Sequence, residues 1–182
     1  GAVQFGRFLL HSGKSSPIYL DLRVLISHPT ALRRVAQVYA GVIWDLEFDL
    51  LAAIPYAGLP IGVAVSMEMD RPLVYPRKEV KSYGTGQQIE GKFNVGDRAV
   101  VIEDLVTSGK SILQGGAVLK AAGLHIENAV VLVDRLQGGV ENLRKEGYTL
   151  PAVLTLPRLL TILENEERIS ADQRQRVMDV LY

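Results

Sequence analysis

The sequence predicts an α/β protein with a central, mostly parallel sheet flanked by helices. Three observations carry that expectation. The apolar runs over 50–54, 99–102 and 128–133 are short and show no polar alternation, as strands buried on both faces do. Segments between them carry apolar residues at helical spacing, and strands alternating with helices imply parallel pairing. A length of 182 residues with 48% apolar content suits one domain with a real core.

Residues 3–10 are apolar around Arg7, 11–16 (HSGKSS) make a turn, and 17–22 (PIYLDL) are expected to be extended. Pro29 opens a helix through 44, with Leu32, Val35, Ala36, Tyr39, Val42 and Ile43 on one face. A buried strand over 50–54 leads through Pro55, Tyr56, Ala57, Gly58, Leu59 and Pro60, a tight connection, into a helix over 61–67. A third short strand covers 71–75. The stretch 77–92 (RKEVKSYGTGQQIEGK) holds four basic residues and three glycines with little apolar content. A long loop inside a compact domain reads as a lid, and Arg77, Lys78 and Lys81 near its base suit closure on an anion. A solvated hairpin loop is the plainer alternative. The strand over 99–102 is followed by a helix over 112–122, closed by Gly123. The strand over 128–133 ends in Asp134 and Arg135. A turn at 137–139, a short helix over 140–146 and a last strand over 152–155 follow. Helices over 157–164 and 171–181 end the chain, the second amphipathic and packed across an edge.

The chain is organised around residues 97–111 (DRAVVIEDLVTSGKS). A buried strand ends in adjacent acids, Glu103 and Asp104. Small polar residues, Thr107 to Ser111, then turn into a helix. Backbone N–H groups of such a turn can converge on a phosphate at the helix N-terminus, and the carboxylates beside them suit sugar hydroxyls or a phosphate-bound metal. Mere helix capping by Thr107 or Ser108 is the bland reading, but adjacent acids closing a buried strand point to function. A Walker A loop is excluded, because Asp104 stands where its first glycine is needed. The GTGQQI segment fails the dinucleotide fingerprint, because Ile89 replaces its last glycine.

Composition narrows the classes. Twenty basic and twenty acidic residues cancel, which argues against nucleic-acid binding by bulk charge. The absence of cysteine removes disulfides, zinc thiolates and thiol nucleophiles. His11, His28 and His125 show no metal-ligand spacing. No apolar run reaches a membrane span and no signal peptide is visible, so a cytoplasmic protein is expected. The chain opens abruptly at Gly1, so residues upstream are expected to be missing, leaving one domain over 1–182.

The turn and its acids resemble the phosphoribosyl-pyrophosphate motif of type I phosphoribosyltransferases. Three further stretches, FGRFLLHSGKSSPIYLDLR (5–23), RKEVKSYGTGQQIEG (77–91) and VLVDRLQGG (131–139), look like orotate phosphoribosyltransferase, in that family's order and spacing. The wording is closest to the transferase domain of bifunctional UMP synthases, which is fused to orotidylate decarboxylase. The resemblance implies the type I phosphoribosyltransferase fold with a mobile lid loop and an N-terminal hood segment. It implies conversion of orotate and phosphoribosyl pyrophosphate to orotidine 5′-monophosphate and pyrophosphate, with Mg²⁺ held mainly by substrate and by Asp104 at most. By position, Glu103, Asp104, Leu105, Val106, Thr107, Ser108, Gly109, Lys110 and Ser111 would hold the ribose 5-phosphate. His11, Tyr56, Arg77, Lys78, Lys81 and Tyr83 would face pyrophosphate. Tyr19, Leu20, Thr107 and Arg135 would bind orotate, and Lys81 and Asp104 would be catalytic. A homodimer sharing lid loops and a fused or associated decarboxylase are implied partners. The family usually has Lys at His11, and many stand-alone members have Lys at Ala57 and His at Tyr83. A purine or xanthine transferase, or a non-catalytic nucleotide sensor on the same fold, are the competing readings.

Overall fold

The computed structural model describes residues 1–9, 15–78 and 88–182. His11, Lys81 and Tyr83, and most of the expected lid, lie outside them. Two strands, β1 (Val3–Leu9) and β2 (Ser15–Leu20), form an antiparallel hairpin that pairs Val3 with Leu20 and Leu9 with Ser15. A short 3-10 helix, Leu22–Ser27, follows, capped by Asp21 accepting from the Arg23 N–H. Helix α1 (Pro29–Ile43) begins on proline, whose missing N–H is no loss in a first turn.

Among the described residues the main sheet has six strands: β3 (Leu50–Ala53), β4 (Leu73–Pro76), β5 (Ile89–Glu90), β6 (Arg98–Val106), β7 (His125–Asp134) and β8 (Ala152–Thr155). Their order is β5-β4-β3-β6-β7-β8, and every pairing is parallel except that of β4 with β5. The expected class is therefore the observed one. Helix α2 (Gly58–Met69) packs with α1 on one face, burying Tyr39, Ile43, Ile61 and Val65 against Leu51, Val100, Ile102 and Val130. Helices α3 (Lys110–Ala121) and α4 (Gly139–Lys145) lie on the other, where Ile112, Leu119 and Leu143 meet Ala52, Val101 and Val131. Helices α5 (Leu156–Asn165) and α6 (Ala171–Leu181) join the hairpin in a third cluster, with Ile18, Leu20, Val133, Leu160 and Val177. Helix α6 starts on a reciprocal cap between Ser170 and Gln173. Among the described residues, no helix is long and apolar enough to cross a membrane.

Several boundaries differ from the sequence expectation. The strand expected over 99–102 runs on through the two acids to Val106, because parallel pairing of Glu103 with Val131 and Leu105 with Val133 uses backbone groups alone. The helix expected from 61 starts at Gly58, and the extended stretch expected to 22 ends at Leu20. Strand β3 neighbours both β4 and β6, so connections diverge from the crevice beyond β3 and β6. In open α/β sheets ligands bind at that switch point, outside the carboxyl ends.

Candidate active site

At that edge the ends of three parallel strands bring together Tyr56 after β3, the acids and turn of β6, and Arg135 after β7. The Ile54 N–H donates to the Ile102 carbonyl at 2.9 Å, and the Arg135 N–H to the Val106 carbonyl at 3.0 Å. These bonds fix the heights of the neighbouring strand ends.

The two acids differ in setting. Glu103 is 5% exposed, and its Oε1 accepts from the Asp104 N–H at 3.1 Å. Asp104 is half-buried, and its Oδ1 accepts from the Leu105 N–H at 2.8 Å. Burial pushes both above the ordinary carboxylate range, and the neighbouring Asp104 charge raises Glu103 further. The Arg23 guanidinium draws Asp104 the other way. No salt bridge occupies Asp104 among the described residues. Tyr39, fully buried, donates its hydroxyl to the Glu103 carbonyl at 2.7 Å and fixes the strand beneath the acids.

The turn after β6 is held by its carbonyls. The Ser108 carbonyl accepts from Asn142 Nδ2 at 3.1 Å, and the Gly109 carbonyl from the Leu113 N–H at 3.0 Å. No hydrogen bond to the N–H groups of Thr107, Ser108, Gly109, Lys110 or Ser111 occurs among the described residues, and no side chain caps α3. Those donors gather where the helix dipole is positive, which is the makeup of an anion cradle. Gly109 has φ +81°, and a Cβ there would lie 2.9 Å from Leu143 Cγ, so two constraints require glycine. Ser108, Lys110 and Ser111 are exposed; Leu105 is half-buried, and Val106 is buried in the core.

Arg135 is 5% exposed, and burial holds its pKa below the ordinary arginine value. Its Nη2 reaches Ser16 Oγ at 3.4 Å, and its Nε has no partner among the described residues. A buried guanidinium with an open donor is costly unless an anion completes it. Tyr19 is half-buried, its ring 5.5 Å from that of Phe8, and its hydroxyl accepts from Arg23 Nη2 at 2.9 Å. The Leu20 side chain points into the hydrophobic cluster, which leaves only its backbone for a ligand.

Tyr56 is 63% exposed, and Lys78 Nζ lies 4.2 Å from its ring centroid, a cation–π contact. Arg77 is bound to Glu90 across the β4–β5 pairing. Its charge is thus committed, where the sequence presents it as a free cation. A cleft of about 700 Å³ beside Asp49 and Asp97 opens at the opposite edge, away from the acids. Sequence reasoning missed Ser16, Arg23, Asn142 and Tyr182. Only Arg23 carried a local signal, its place two residues after Asp21 just past the stretch expected to be extended, and it lies in the 3-10 helix.

Acids, free amides and a buried cation at the switch point of a parallel sheet have the makeup of a site for phosphorylated, anionic ligands. Comparison with known proteins narrows that class. Residues 25–149 match the phosphoribosyl transferase domain. The chain is 42% identical over 155 residues to orotate phosphoribosyltransferase of Pyrococcus furiosus, covering 84% of this chain and 85% of that one. It is 44% identical over 178 residues to uridine 5′-monophosphate synthase of Bos taurus, covering 97% of this chain but 37% of that one. A structure of Leishmania donovani UMP synthase superposes with a TM-score of 0.92 at 44% identity, over 99% of this chain and 39% of that one. This chain belongs to the phosphoribosyltransferase family, in its orotate phosphoribosyltransferase branch. It spans little more than a third of the bovine and Leishmania proteins.

Proposed function

We infer that this protein transfers the phosphoribosyl group of phosphoribosyl pyrophosphate to orotate. The bond from ribose C1 to pyrophosphate breaks, and one from orotate N1 to C1 forms. N1 gives its proton to solvent or the departing pyrophosphate, and orotidine 5′-monophosphate and pyrophosphate are the products. One observation carries the reading. Among the described residues, unbonded amides, an acid pair without a salt bridge and a buried arginine whose Nε has no partner share one sheet edge.

Each part has a task. The N–H groups from Thr107 to Ser111 hold the 5-phosphate, and Glu103 and Asp104 accept from the ribose hydroxyls. Arg135, whose planar fork matches a carboxylate as lysine would not, takes the acidic group of orotate beside Tyr19 and the Leu20 backbone. As the bond to pyrophosphate lengthens, C1 becomes cation-like and the leaving oxygens gain charge. Lys78 beside Tyr56, together with His11, Lys81 and Tyr83, stabilises that charge. Arg77 joins them on leaving Glu90. No protein nucleophile is needed, since orotate N1 attacks.

Two adjacent carboxylates, with no cluster of three ligands among the described residues, fit Mg²⁺ rather than a metal caged by protein. Asp104, the more open acid, would hold it together with substrate oxygens, and the ion would add positive charge beside the leaving pyrophosphate. A homodimer is part of the reading. Helix α2 is apolar on nearly every side, yet Val63 and Met67, one turn apart, are exposed, which leaves a face for a second copy. We place the protein in the cytoplasm, with an orotidylate decarboxylase as fused or associated partner, as the longer relatives support. Orotate, phosphoribosyl pyrophosphate and Mg²⁺ are mixed with the protein, and orotate absorbance is followed. Steady loss dependent on all components is expected. Ligand binding without turnover would refute the transferase and favour a sensor.

A further inference from the structure

The peptide unit joining Arg135 to Leu136 is held at both ends. Its N–H, that of Leu136, donates to Asp134 Oδ1 at 2.8 Å. Its carbonyl, that of Arg135, accepts from the hydroxyl of Tyr182, 47 residues further along the chain. Between these grips Leu136 sits at φ +53°, the left-handed region that a branched side chain avoids. A peptide turn there would relieve Leu136. It would also rotate the backbone from which the Arg135 side chain departs.

The element carrying Tyr182 is itself anchored to the other wall of the site. Val177 of α6 is 1% exposed and shares one cluster with Ile18 and Leu20 of β2. Strand β2 also bears Ser16, whose hydroxyl accepts from the Arg135 guanidinium. Helix α6 therefore registers the backbone of Arg135 against the strand its side chain faces.

We propose that Tyr182 is a positioning residue for the acidic base: its hydroxyl locks the strained peptide after Arg135 and so fixes the guanidinium that would receive the orotate carboxylate. The proposal rests on the transferase reading above and adds a remote residue that sets affinity for one substrate alone. The phosphate cradle and the acids stand on β6 and α3, to which the Tyr182 hydroxyl makes no hydrogen bond among the described residues.

The test is steady-state kinetics of Tyr182→Phe, which keeps the ring and removes one hydrogen bond. A rise of about three- to tenfold in KM for orotate is expected, the factor one hydrogen bond is worth, with KM for phosphoribosyl pyrophosphate unmoved. A second variant separates positioning from general loosening. In a Leu136→Gly background, where positive φ carries no strain, the same hydroxyl removal is expected to raise the orotate KM by less than about twofold. An unchanged orotate KM overturns the proposal, as do KM values rising together for both substrates or an equal rise in both backgrounds. No turnover by the unaltered protein would sink the transferase reading and this proposal with it, a result distinct from turnover with an unmoved KM.

Discussion

Gly139→Ala tests how closely the proposed phosphate cradle is supported from below. A Cβ at Gly139 would lie 2.5 Å from Val106 Cγ2 and 2.8 Å from the Thr107 carbonyl oxygen. Ordinary contact begins near 3.4 Å, so the neighbours must give by about 0.9 Å and 0.6 Å. Neither gives freely. Val106 is 1% exposed and pairs with Asp134, and its carbonyl holds the Arg135 N–H. Overpacking of this kind costs about 1–3 kcal/mol, against which alanine recovers up to about 1 kcal/mol of helix propensity. The net is a loss of up to about 3 kcal/mol, or up to roughly 12 °C in Tm for a chain of this size. A displacement near an ångström also misplaces the amides, which costs about ten- to a hundredfold in kcat/KM for phosphoribosyl pyrophosphate. Gly138→Ala is the control. Its φ is +88° with nothing within 4 Å, so it loses about 1 kcal/mol to strain and leaves KM for phosphoribosyl pyrophosphate unchanged. Differential scanning fluorimetry and initial rates read both variants. If Gly139→Ala melts and turns over like the unaltered protein, α4 does not support the cradle as described.

Tyr39→Phe leaves the buried Glu103 carbonyl without its hydroxyl donor and should cost about 1–2 kcal/mol, seen as a Tm lowered by roughly 2–8 °C; an unshifted melt would show that the bond does not hold the acids' strand. Lys81→Ala should cut kcat far more than affinity for either substrate if its charge acts on the departing pyrophosphate, and equal losses in both would assign it to binding. Arg135→Lys keeps the charge but loses the planar fork, so KM for orotate should rise by about ten- to a hundredfold with phosphoribosyl pyrophosphate binding intact, as direct titration of each substrate would reveal.

The features legible in the sequence are those written in consecutive residues. The acids, the small-residue turn and Arg135 each follow an apolar run, and a parallel sheet brings the ends of such runs to one edge. The sheet continues through Glu103 and Asp104 because its ladder depends on backbone groups, whereas hydrophobic pattern stops at Ile102. The 3-10 helix over Leu22–Ser27 was hidden because LRVLIS reads as one more apolar run, while its cap, Asp21, reads as part of a strand. Ser16 and Tyr182 were hidden for a stronger reason. They reach Arg135 across 119 and 47 residues, and no local spacing encodes a contact made by packing α6 on the hairpin. The commitment of Arg77 to Glu90 likewise exists only because β5 turns back antiparallel on β4.

The protein also has to keep its opposite charges apart until ligands arrive, since a direct pair between Arg135 and the acids would close the site on itself. Strand register supplies the separation. Val106 pairs with Asp134, so Arg135 stands one residue beyond Val106 in height, three beyond Asp104 and four beyond Glu103. At about 3.3 Å per residue the backbones of the acids and the arginine are some 10–13 Å apart along the strands. Burial acts with that distance. Glu103 and Asp104 are pushed toward their protonated forms, Arg135 faces Ser16 rather than a carboxylate, and the amides between them stay unbonded among the described residues. A ligand with hydroxyls at one end and an acid at the other satisfies both ends at once, while a bare phosphate or a free carboxylate satisfies only one. The proposed selectivity for a phosphorylated sugar together with an acidic base would then follow from the register of two neighbouring strands.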